Sequence, residues 1–340
     1  MKKLTILLST LKFMIISKTP YRISFFGGGS DYPEWFKNPG NYGEVISTTI
    51  NKYIYLSIRE LPPFFGIKYR FSYSKIEETN NLRKIQHKAL RGLINFYKPK
   101  QGLEIHYDGD LPSKSGMGSS SSFTVGAINS YLNFNGLKLT KNELARKSIH
   151  FEHKVLKETV GVQDQIAASF GGFNIIKINN NGFKIKNLNH NKNFLKKLNN
   201  NLFLIYTGQS RFAHKIANSF VKNLSYSKKE NIEKILNHVE QAKKIINSGS
   251  TDDFGSLLND TWQEKKKLSK IISNSGIDYI YDLAMKNGSL GGKLLGAGSG
   301  GFLLFYVPLN KHEIFKKKFK NYVKIPFKFS KEGSSIIYKD

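Results

Sequence analysis

The chain has 340 residues, of which 39% are hydrophobic and 23% charged, and its formal net charge at pH 7 is +28. These proportions are typical of a globular protein with one large domain or two, and no apolar run reaches the roughly 18 residues of a membrane-spanning helix. Cysteine is absent, which excludes disulfides and cysteine-based metal sites and favours a reducing compartment, so we expect the protein in the cytoplasm.

The excess of basic residues raises the alternative of a nucleic-acid-binding protein. The lysines, however, are spread in short runs such as Lys196-Lys197 and Lys316-Lys317-Lys318, and the aromatic residues fall mostly in strand-like runs. Attraction of acidic small molecules, such as ATP or sugar phosphates, explains the charge more simply. We therefore expect no dedicated nucleic-acid partner and no membrane partner, and leave open whether the protein forms a homo-oligomer.

The chain starts with two lysines and a short apolar run, as a signal peptide does, but Lys12 interrupts the run and no small-residue cleavage site follows. We interpret residues 1–13 as an upstream extension. Residues 14–26 read as an extended segment that leads into a glycine-rich turn at 27–31. Taken alone, Arg22 is typical of a strand edge, and Asp31 is typical of a turn or a helix cap.

A glycine- and serine-rich loop lies between a predicted strand at 102–107 and a predicted helix at about 119–134. Its residues are Pro112, Ser113, Lys114, Ser115, Gly116, Met117, Gly118, Ser119, Ser120 and Ser121. By composition alone, the loop is equally typical of a flexible turn. The strand–loop–helix context favours a phosphate site, because glycines admit close approach and the free N–H groups of a helix start attract anions. No Gly-Lys-Ser/Thr closes the loop, which excludes the Walker type.

Two carboxylates follow on predicted helices. Thr140 and Glu143 have the spacing of a capping box, which predicts a helix over 140–157 that carries Glu152. Asp164 lies at the start of the next helix. Each alone is typical of a solvated surface charge or a first-turn carboxylate. Together they suit phosphoryl transfer, in which Glu152 and a loop serine offer oxygens to Mg²⁺ and Asp164 orients or deprotonates a hydroxyl.

The remaining pattern alternates strands and helices. We predict strands at 45–59, 66–73, 201–207 and 302–307, a helix over 82–97, a hairpin at 174–186, a polar domain junction at 187–200, and helices over 228–247, 251–273 and 276–287. A second glycine-rich stretch, 288–301, precedes the strand at 302–307. A dinucleotide-binding loop follows a strand and opens a helix, so this stretch is not one.

Three stretches, Pro20 to Tyr32, Pro112 to Ser120 and Lys293 to Gly301, resemble the three motifs of the GHMP kinases in the family order. The resemblance implies a two-domain α+β fold with ATP in the cleft. It implies an N-terminal, ATP-binding domain over 14–195 that resembles ribosomal protein S5 domain 2. A ferredoxin-like C-terminal domain is expected over 196–340.

The resemblance also implies roles for single residues. Asp164 is expected as the catalytic carboxylate with Arg22 near the transferring phosphoryl group, the loop from Pro112 to Ser121 as the ATP site, and Mg²⁺ on Ser120 and Glu152. Arg211 is a candidate for a phosphate already present on the sugar, although a surface arginine is equally compatible. The remaining substrate-binding residues implied are Gly29, Ser30, Asp31, Tyr32, Gly298 and Gly300.

The form of the first motif and its flanks resembles that of D-glycero-D-manno-heptose 7-phosphate kinases. Ser30 stands where the family often has threonine, which retains a hydroxyl. The resemblance implies phosphorylation of the anomeric C1 hydroxyl of that sugar phosphate, on the route to a GDP-activated heptose for a surface glycan. Two alternatives stay open at this point: another GHMP sugar 1-kinase, such as a fucokinase-like enzyme, and a basic RNA-binding protein on an S5-like fold.

Overall fold

The computed structural model describes residues 14–188, 191–208 and 213–340. In chain order its strands are β1 (Ile15–Phe26), β2 (Gly43–Leu61), β3 (Tyr69–Ser72), β4 (Ile76–Thr79), β5 (Gly102–Gly109), β6 (Phe173–Asn179), β7 (Gly182–Asn187), β8 (Leu202–Tyr206), β9 (Gly291–Leu294), β10 (Phe302–Tyr306), β11 (Phe329–Ser330) and β12 (Ser335–Lys339). No helix in these ranges is long and apolar enough to cross a bilayer.

Short 3₁₀ turns aside, the helices are α1 (Pro33–Phe36), α2 (Lys88–Tyr97), α3 (Ser119–Phe134), α4 (Lys141–His150), α5 (Gln163–Phe170), α6 (Lys192–Asn200), α7 (Ala213–Asn218), α8 (Lys229–Ser248), α9 (Thr251–Lys266), α10 (Ser275–Lys286) and α11 (His312–Lys318). A single π-helical turn, Phe151–Val155, continues α4.

The N-terminal part is built on a nine-stranded sheet whose main path runs β12-β1-β2-β5-β3-β4. The long β2 strand also pairs with β6 and β11, so that it joins both ends of the chain to one sheet. Helix α3 packs on β1 and β2 and is buried on almost every side, as expected for a central helix. A Cβ at Gly126 would lie 2.9 Å from Thr19 Oγ1, which shows how closely this helix approaches the sheet.

The C-terminal part contains a three-stranded antiparallel sheet in the order β8-β10-β9; α9 packs on this sheet, and α8 packs on α9. The two parts share an apolar contact. The ring of Phe254 in α9 lies 5.3 Å from that of Phe25 and 4.8 Å from that of Phe26, both in β1. Because these rings are fully buried, the hydrophobic core continues from one part to the other beneath the end of β1.

The two-domain α+β fold is confirmed, and the helix at 119–134 and the hairpin at 174–186 form as predicted. The predicted helix over 82–97 is wrong at its start, because His87 accepts from Leu90 N–H and caps a helix that begins at Lys88. The predicted helix over 251–273 ends at Lys266. The polar stretch at 187–200, the predicted domain junction, contains α6, so the predicted boundary between residues 195 and 196 lies within a helix.

Candidate active site

An ion pair joins the end of β1 to the start of α5. Arg22 donates from Nε to Asp164 Oδ1 and from Nη2 to Oδ2, both at 2.7 Å, so the pair is bidentate. Arg22 is 4% exposed, whereas the Asp164 side chain keeps 23% of its surface accessible. Two parallel charge-assisted hydrogen bonds fix both the distance and the relative orientation of the two groups. The carboxylate is therefore held rigidly at an accessible surface.

The glycine- and serine-rich loop lies directly against this pair. Arg22 Nη1 donates to the carbonyl oxygen of Gly116 at 2.6 Å, and the Arg22 backbone N–H donates to that of Met117 at 3.1 Å. Gly118 has φ +76°, and a Cβ there would come within 3.1 Å of the Arg22 side chain. Only glycine takes this conformation readily and leaves the space free. The backbone of the loop therefore holds Arg22 in place.

The same loop opens helix α3, whose first residue is Ser119. Pro112, Ser113, Lys114 and Ser120 are exposed, and the Lys114 backbone N–H donates to Ser119 Oγ at 3.2 Å. Ser115 is 1% exposed and its hydroxyl has no hydrogen-bond partner among the described residues. A helix start of this kind, with an exposed lysine and serines around it, favours an anion such as a nucleotide phosphate.

The second glycine-rich stretch packs on the first loop. The Phe302 backbone N–H donates to the Ser115 carbonyl oxygen at 3.2 Å, and a Cβ at Gly301 would lie 2.1 Å from that oxygen. Gly298 and Gly300 are buried, and the Gly298 backbone packs against Ile272 of the C-terminal part. The two loops therefore meet at the junction between the two parts of the molecule.

The turn after β1 places Asp31 beside the ion pair. Asp31 is 1% exposed, and its carboxylate accepts from the Gly29 N–H at 3.0 Å and from the Gln163 N–H at 3.4 Å. Burial, and after it the Asp164 charge, raises the pKa of Asp31. A Cβ at Gly161 would lie 1.8 Å from Asp31 Oδ2, so glycine is required there. Asp31 thereby joins the first turn to the start of α5.

Two other predicted residues of this turn, Ser30 and Tyr32, make contacts within the protein. Ser30 is fully buried, and its hydroxyl donates to the Gly27 carbonyl oxygen at 2.7 Å and accepts from the Glu44 N–H at 3.1 Å. It closes the turn. Tyr32 is half-buried and packs edge-on against Phe220 with ring centroids 5.9 Å apart.

Glu152 lies in the π-helical turn after α4 and is completely buried. Its Oε2 accepts from Ser121 Oγ at 3.0 Å and from Gln165 Nε2 at 2.5 Å, whereas its Oε1 has no hydrogen-bond partner among the described residues. Burial raises the pKa of Glu152 to about 8. The serine whose hydroxyl contacts Glu152 is Ser121, while Ser120, the predicted second metal ligand, is exposed.

These residues fit a cation that also binds a nucleotide. No group of three or more His, Asp or Glu side chains able to hold a metal occurs in the described ranges, so a metal here depends on one protein carboxylate and on phosphate oxygens. Mg²⁺ is usually bound in this way. The unpartnered Glu152 Oε1 is the atom that such a cation would satisfy.

Lys293 of β9 was not singled out from the sequence, although it begins the third motif. It is 3% exposed, and its Nζ donates to the Phe25 carbonyl oxygen at 2.6 Å. Lysine inside a strand that otherwise reads glycine and leucine was the available signal. Arg211 lies outside the described residues.

A groove of about 850 Å³ lies away from this site, between α6, β8, α11 and the segment 324–331. Six lysines line it: Lys192, Lys196, Lys316, Lys324, Lys328 and Lys331. They are solvent-exposed or bonded within the protein, as Lys316 is to Glu313 at 3.0 Å. In a chain with 53 basic and 25 acidic residues, this charge follows the overall composition and does not distinguish the groove.

Comparison with known proteins agrees with this geometry. The family profile described as GHMP kinases N terminal domain matches residues 82–172, and that described as GHMP kinases C terminal matches residues 226–324. The D-glycero-alpha-D-manno-heptose 7-phosphate kinase of Campylobacter jejuni is 31% identical over 338 residues, covering 94% of this chain and 97% of that protein. The bifunctional fucokinase/GDP-fucose pyrophosphorylase of Arabidopsis thaliana is 25% identical over 84% of this chain but only 29% of its own length.

A solved structure described as a D-glycero-D-manno-heptose 1-phosphate kinase from Bacteroides thetaiotaomicron superposes with a TM-score of 0.75 at 25% identity. The superposition covers 96% of this chain and 100% of that one. Both family profiles occur in order, and a relative above 30% identity spans nearly the full length of both chains. The chain therefore belongs to the GHMP kinase family and is a sugar kinase, an ATP-using phosphotransferase with an alcohol group as acceptor.

Proposed function

We propose that this kinase transfers the γ-phosphoryl group of ATP to the anomeric C1 hydroxyl of D-glycero-α-D-manno-heptose 7-phosphate and forms the 1,7-bisphosphate. The observation that carries the reaction is the bidentate Arg22–Asp164 pair beneath the loop that opens α3. The substrate class comes from the 31% identical Campylobacter jejuni kinase. The product would enter the synthesis of a GDP-activated heptose for a surface glycan, in the cytoplasm where ATP is available.

Asp164 has the geometry to orient the sugar hydroxyl and accept its proton. In the reaction the hydroxyl oxygen forms a bond to the γ-phosphorus while the bond from that phosphorus to the β,γ-bridging oxygen breaks, and ADP leaves. The hydroxyl proton passes to Asp164. Because the transition state is loose, positioning and charge stabilisation carry most of the rate. A carboxylate fixed by two hydrogen bonds and still 23% exposed suits the positioning part.

Arg22 is suited to stabilise the charge of the transferring group. The guanidinium has five N–H donors. Within the described residues three of them are used: Nε and Nη2 toward Asp164 and Nη1 toward Gly116. One donor on Nη1 and one on Nη2 remain for phosphoryl oxygens, beside the hydroxyl that Asp164 orients.

ATP phosphates are expected along the loop from Pro112 to Ser121, over the free N–H groups of α3. Mg²⁺ bound to Glu152 and a loop serine would neutralise charge on the phosphates. Ser120 is the predicted ligand, and its exposure leaves its hydroxyl free to turn toward a bound nucleotide. Ser121 and Gln165 orient the Glu152 carboxylate by hydrogen bonds from the opposite side.

The position already phosphorylated in the substrate needs its own test, because the names of the two heptose-kinase relatives differ. One is a 7-phosphate kinase and the other is described as a 1-phosphate kinase. A 7-phosphate lies at the far end of the sugar from C1, so a second cationic contact remote from Arg22 is required for it. Arg211 stays the predicted contact.

The test is ADP release with Mg²⁺-ATP and a panel of acceptors: the heptose 7-phosphate, the heptose 1-phosphate, the unphosphorylated heptose, fucose and galactose. We expect turnover on the 7-phosphate well above all others, with the 1,7-bisphosphate identified by ³¹P NMR. Charge-assisted contacts to phosphate are the reason for the preference over the free sugar. Preferred turnover on the 1-phosphate or on a free sugar would reject the proposed substrate.

A fucokinase-like activity is the second candidate. It is supported by the similarity to the Arabidopsis thaliana enzyme over 84% of this chain. Fucose carries no phosphate, so this candidate predicts turnover on fucose that neither heptose phosphate inhibits at equal concentration. The same panel therefore separates the two candidates.

A further inference from the structure

Lys293 connects the two parts of the molecule through a buried contact. It lies in β9 of the three-stranded sheet, yet its Nζ donates to the Phe25 carbonyl oxygen in β1, 268 positions away, at 2.6 Å. Phe25 precedes the turn at 27–31 that carries Asp31. The lysine therefore holds the backbone from which this turn begins.

The surroundings of Lys293 are unfavourable for a fixed charge. An ammonium has three donors and is strongly hydrated in water. Within the described residues, the Phe25 carbonyl oxygen is the only hydrogen-bond acceptor of Nζ. Burial, and after it the Arg22 charge, lowers the pKa of Lys293 to about 7, while Asp31 acts in the opposite direction.

The charged groups that act on Lys293 are Arg22 and Asp31. Asp164 in turn acts on both, because it pairs with Arg22 and its charge raises the pKa of Asp31. Arg22 and Asp164 balance each other through their bidentate pair. Asp31 accepts only backbone N–H groups in the described ranges, and burial raises its pKa. Neither Lys293 nor Asp31 forms an ion pair in the described ranges, and burial shifts the pKa of each toward its neutral form.

An anion placed at Arg22 changes this balance. Its negative charge opposes the effect of the guanidinium on Lys293 and favours the ammonium form. The added proton comes from solvent. Ligand binding above neutral pH then consumes protons, and the amount consumed reports the protonation of the lysine.

We propose that Lys293 is a positioning residue for phosphoryl transfer, which takes up a proton when phosphate-bearing substrates bind and in that form fixes the end of β1 and its turn against the C-terminal domain. It acts through the Phe25 carbonyl group and does not touch the substrate. The inference rests on the proposed function, because the anion at Arg22 is a substrate phosphate.

Isothermal titration calorimetry in buffers of different ionisation enthalpy tests the proton uptake. At pH 8 a non-hydrolysable ATP analogue with Mg²⁺ is titrated into the protein, with and without heptose 7-phosphate. Glu152, with a pKa of about 8, releases protons on metal binding in every variant, so we expect the wild type to take up more protons per ligand bound than either Lys293 variant. Lys293→Met removes the titrating group and Lys293→Arg replaces it with one that is always charged, so both lose the uptake.

Lys324→Met is the matched control. Lys324 is half-buried, whereas Lys293 is buried, but it likewise donates to a backbone carbonyl oxygen, that of Phe319, at 2.6 Å. Its loss is expected to leave proton uptake at the wild-type value. A general effect of removing a lysine that donates to a backbone carbonyl oxygen would appear in this variant as well.

Turnover separates positioning from folding. We expect Lys293→Met to lower kcat roughly 10²-fold with a smaller change in KM, as for a misplaced catalytic group. Lys293→Arg keeps a cation and should retain more of kcat. Wild-type proton uptake in either variant that folds, or unchanged kcat in Lys293→Met, would overturn the proposal.

The calorimetry also distinguishes failure of the proposed function from failure of this inference. If the wild type binds the ATP analogue but phosphorylates no heptose phosphate, the proposed substrate is rejected. The uptake on binding the ATP analogue alone then decides the role of Lys293.

Discussion

Asp164 and Glu152 are two carboxylates of one site, and the protein treats them in opposite ways. Asp164 is partly exposed and held by two hydrogen bonds from Arg22. Glu152 is completely buried, faces no cation in the described residues, and has one oxygen without a partner. Asp164 has its cationic partner within the protein. Glu152 gains one only when a ligand brings positive charge to it. The difference suggests a fixed catalytic group beside a site that the bound nucleotide and its metal finish.

Asp164→Asn is expected to have the largest effect. The amide keeps the shape of the side chain but accepts no proton and forms a weaker pair with Arg22, so kcat should fall roughly 10³-fold. Asp278→Asn is the control, since the exposed Lys266–Asp278 pair, at 3.8 Å, contributes little. Steady-state kinetics and thermal melts measure both variants. A loss of less than tenfold in kcat would remove Asp164 from the chemistry.

Glu152→Gln should lower turnover less than Asp164→Asn does, but it should increase the stability of the protein. The pKa of Glu152 is raised to about 8 in the folded state, so the folded protein binds more protons than the unfolded chain between about pH 4.5 and pH 8. Stability of the wild type therefore falls as the pH rises through this window. The glutamine variant lacks this loss. Its free energy of unfolding should exceed that of the wild type by a few kcal/mol at pH 8, because the wild type loses roughly 1.4 kcal/mol for each pH unit within this window.

Glu104→Gln provides the opposite case for this measurement. Glu104 is also buried, but hydrogen bonds from His106 and Arg59 outweigh the effect of burial and lower its pKa. Its contribution to stability is present above the unfolded pKa and is lost as the pH falls through the folded one. The glutamine variant should therefore be less stable than the wild type at pH 7. Urea unfolding between pH 5 and pH 8 measures the free energy of unfolding of both variants. A change of the same sign in the two variants, relative to the wild type, would contradict the contrast between Glu152 and Glu104.

Turnover completes the test of Glu152. We expect kcat of Glu152→Gln to fall roughly 10²-fold, as when one fixed electrostatic group is lost from an active site. The apparent affinity for Mg²⁺ in the presence of ATP should fall as well. A variant that is more stable at pH 8 but fully active would show that the carboxylate is no part of the nucleotide site.

Local signals in the sequence predicted much of the fold. The Thr140 and Glu143 side chains form the predicted capping box, and α3 spans Ser119–Phe134 as expected. Both depend on residues within a few positions of each other. The two-residue β11 forms only by pairing with β2, so its own sequence carries almost no signal.

The details of the site were less predictable because they depend on distant contacts. Neighbouring residues on a helix point about 100° apart, so the position of the π-helical turn after α4 decides that Ser121 rather than Ser120 contacts Glu152. Lys293 meets Phe25 across 268 positions. Family resemblance predicted Arg22 and Asp164 as site residues, but nothing in the sequence specified that both oxygens of Asp164 would pair with Arg22.

Gly118→Ala should have the smallest effect and tests how the loop supports the Arg22–Asp164 pair. Gly118 has φ +76°, and a new Cβ would lie within 3.1 Å of the Arg22 side chain. A non-glycine residue in this conformation costs roughly 1–2 kcal/mol in stability. Displacement of Arg22 should also raise KM for ATP and lower kcat severalfold.

Gly136→Ala is the control, because Gly136 follows the other end of α3 with nearly the same angle, φ +79°, and nothing lies within 4 Å of its added Cβ. Both variants should lose similar stability, since both place alanine in the left-handed region. Only Gly118→Ala should alter the kinetics, because only there does the methyl group meet Arg22. Equal kinetics in the two variants, measured alongside their melting temperatures, would mean that Asp164 holds Arg22 in place without help from the loop. The ion pair would then be self-sufficient, and the loop would serve the nucleotide alone.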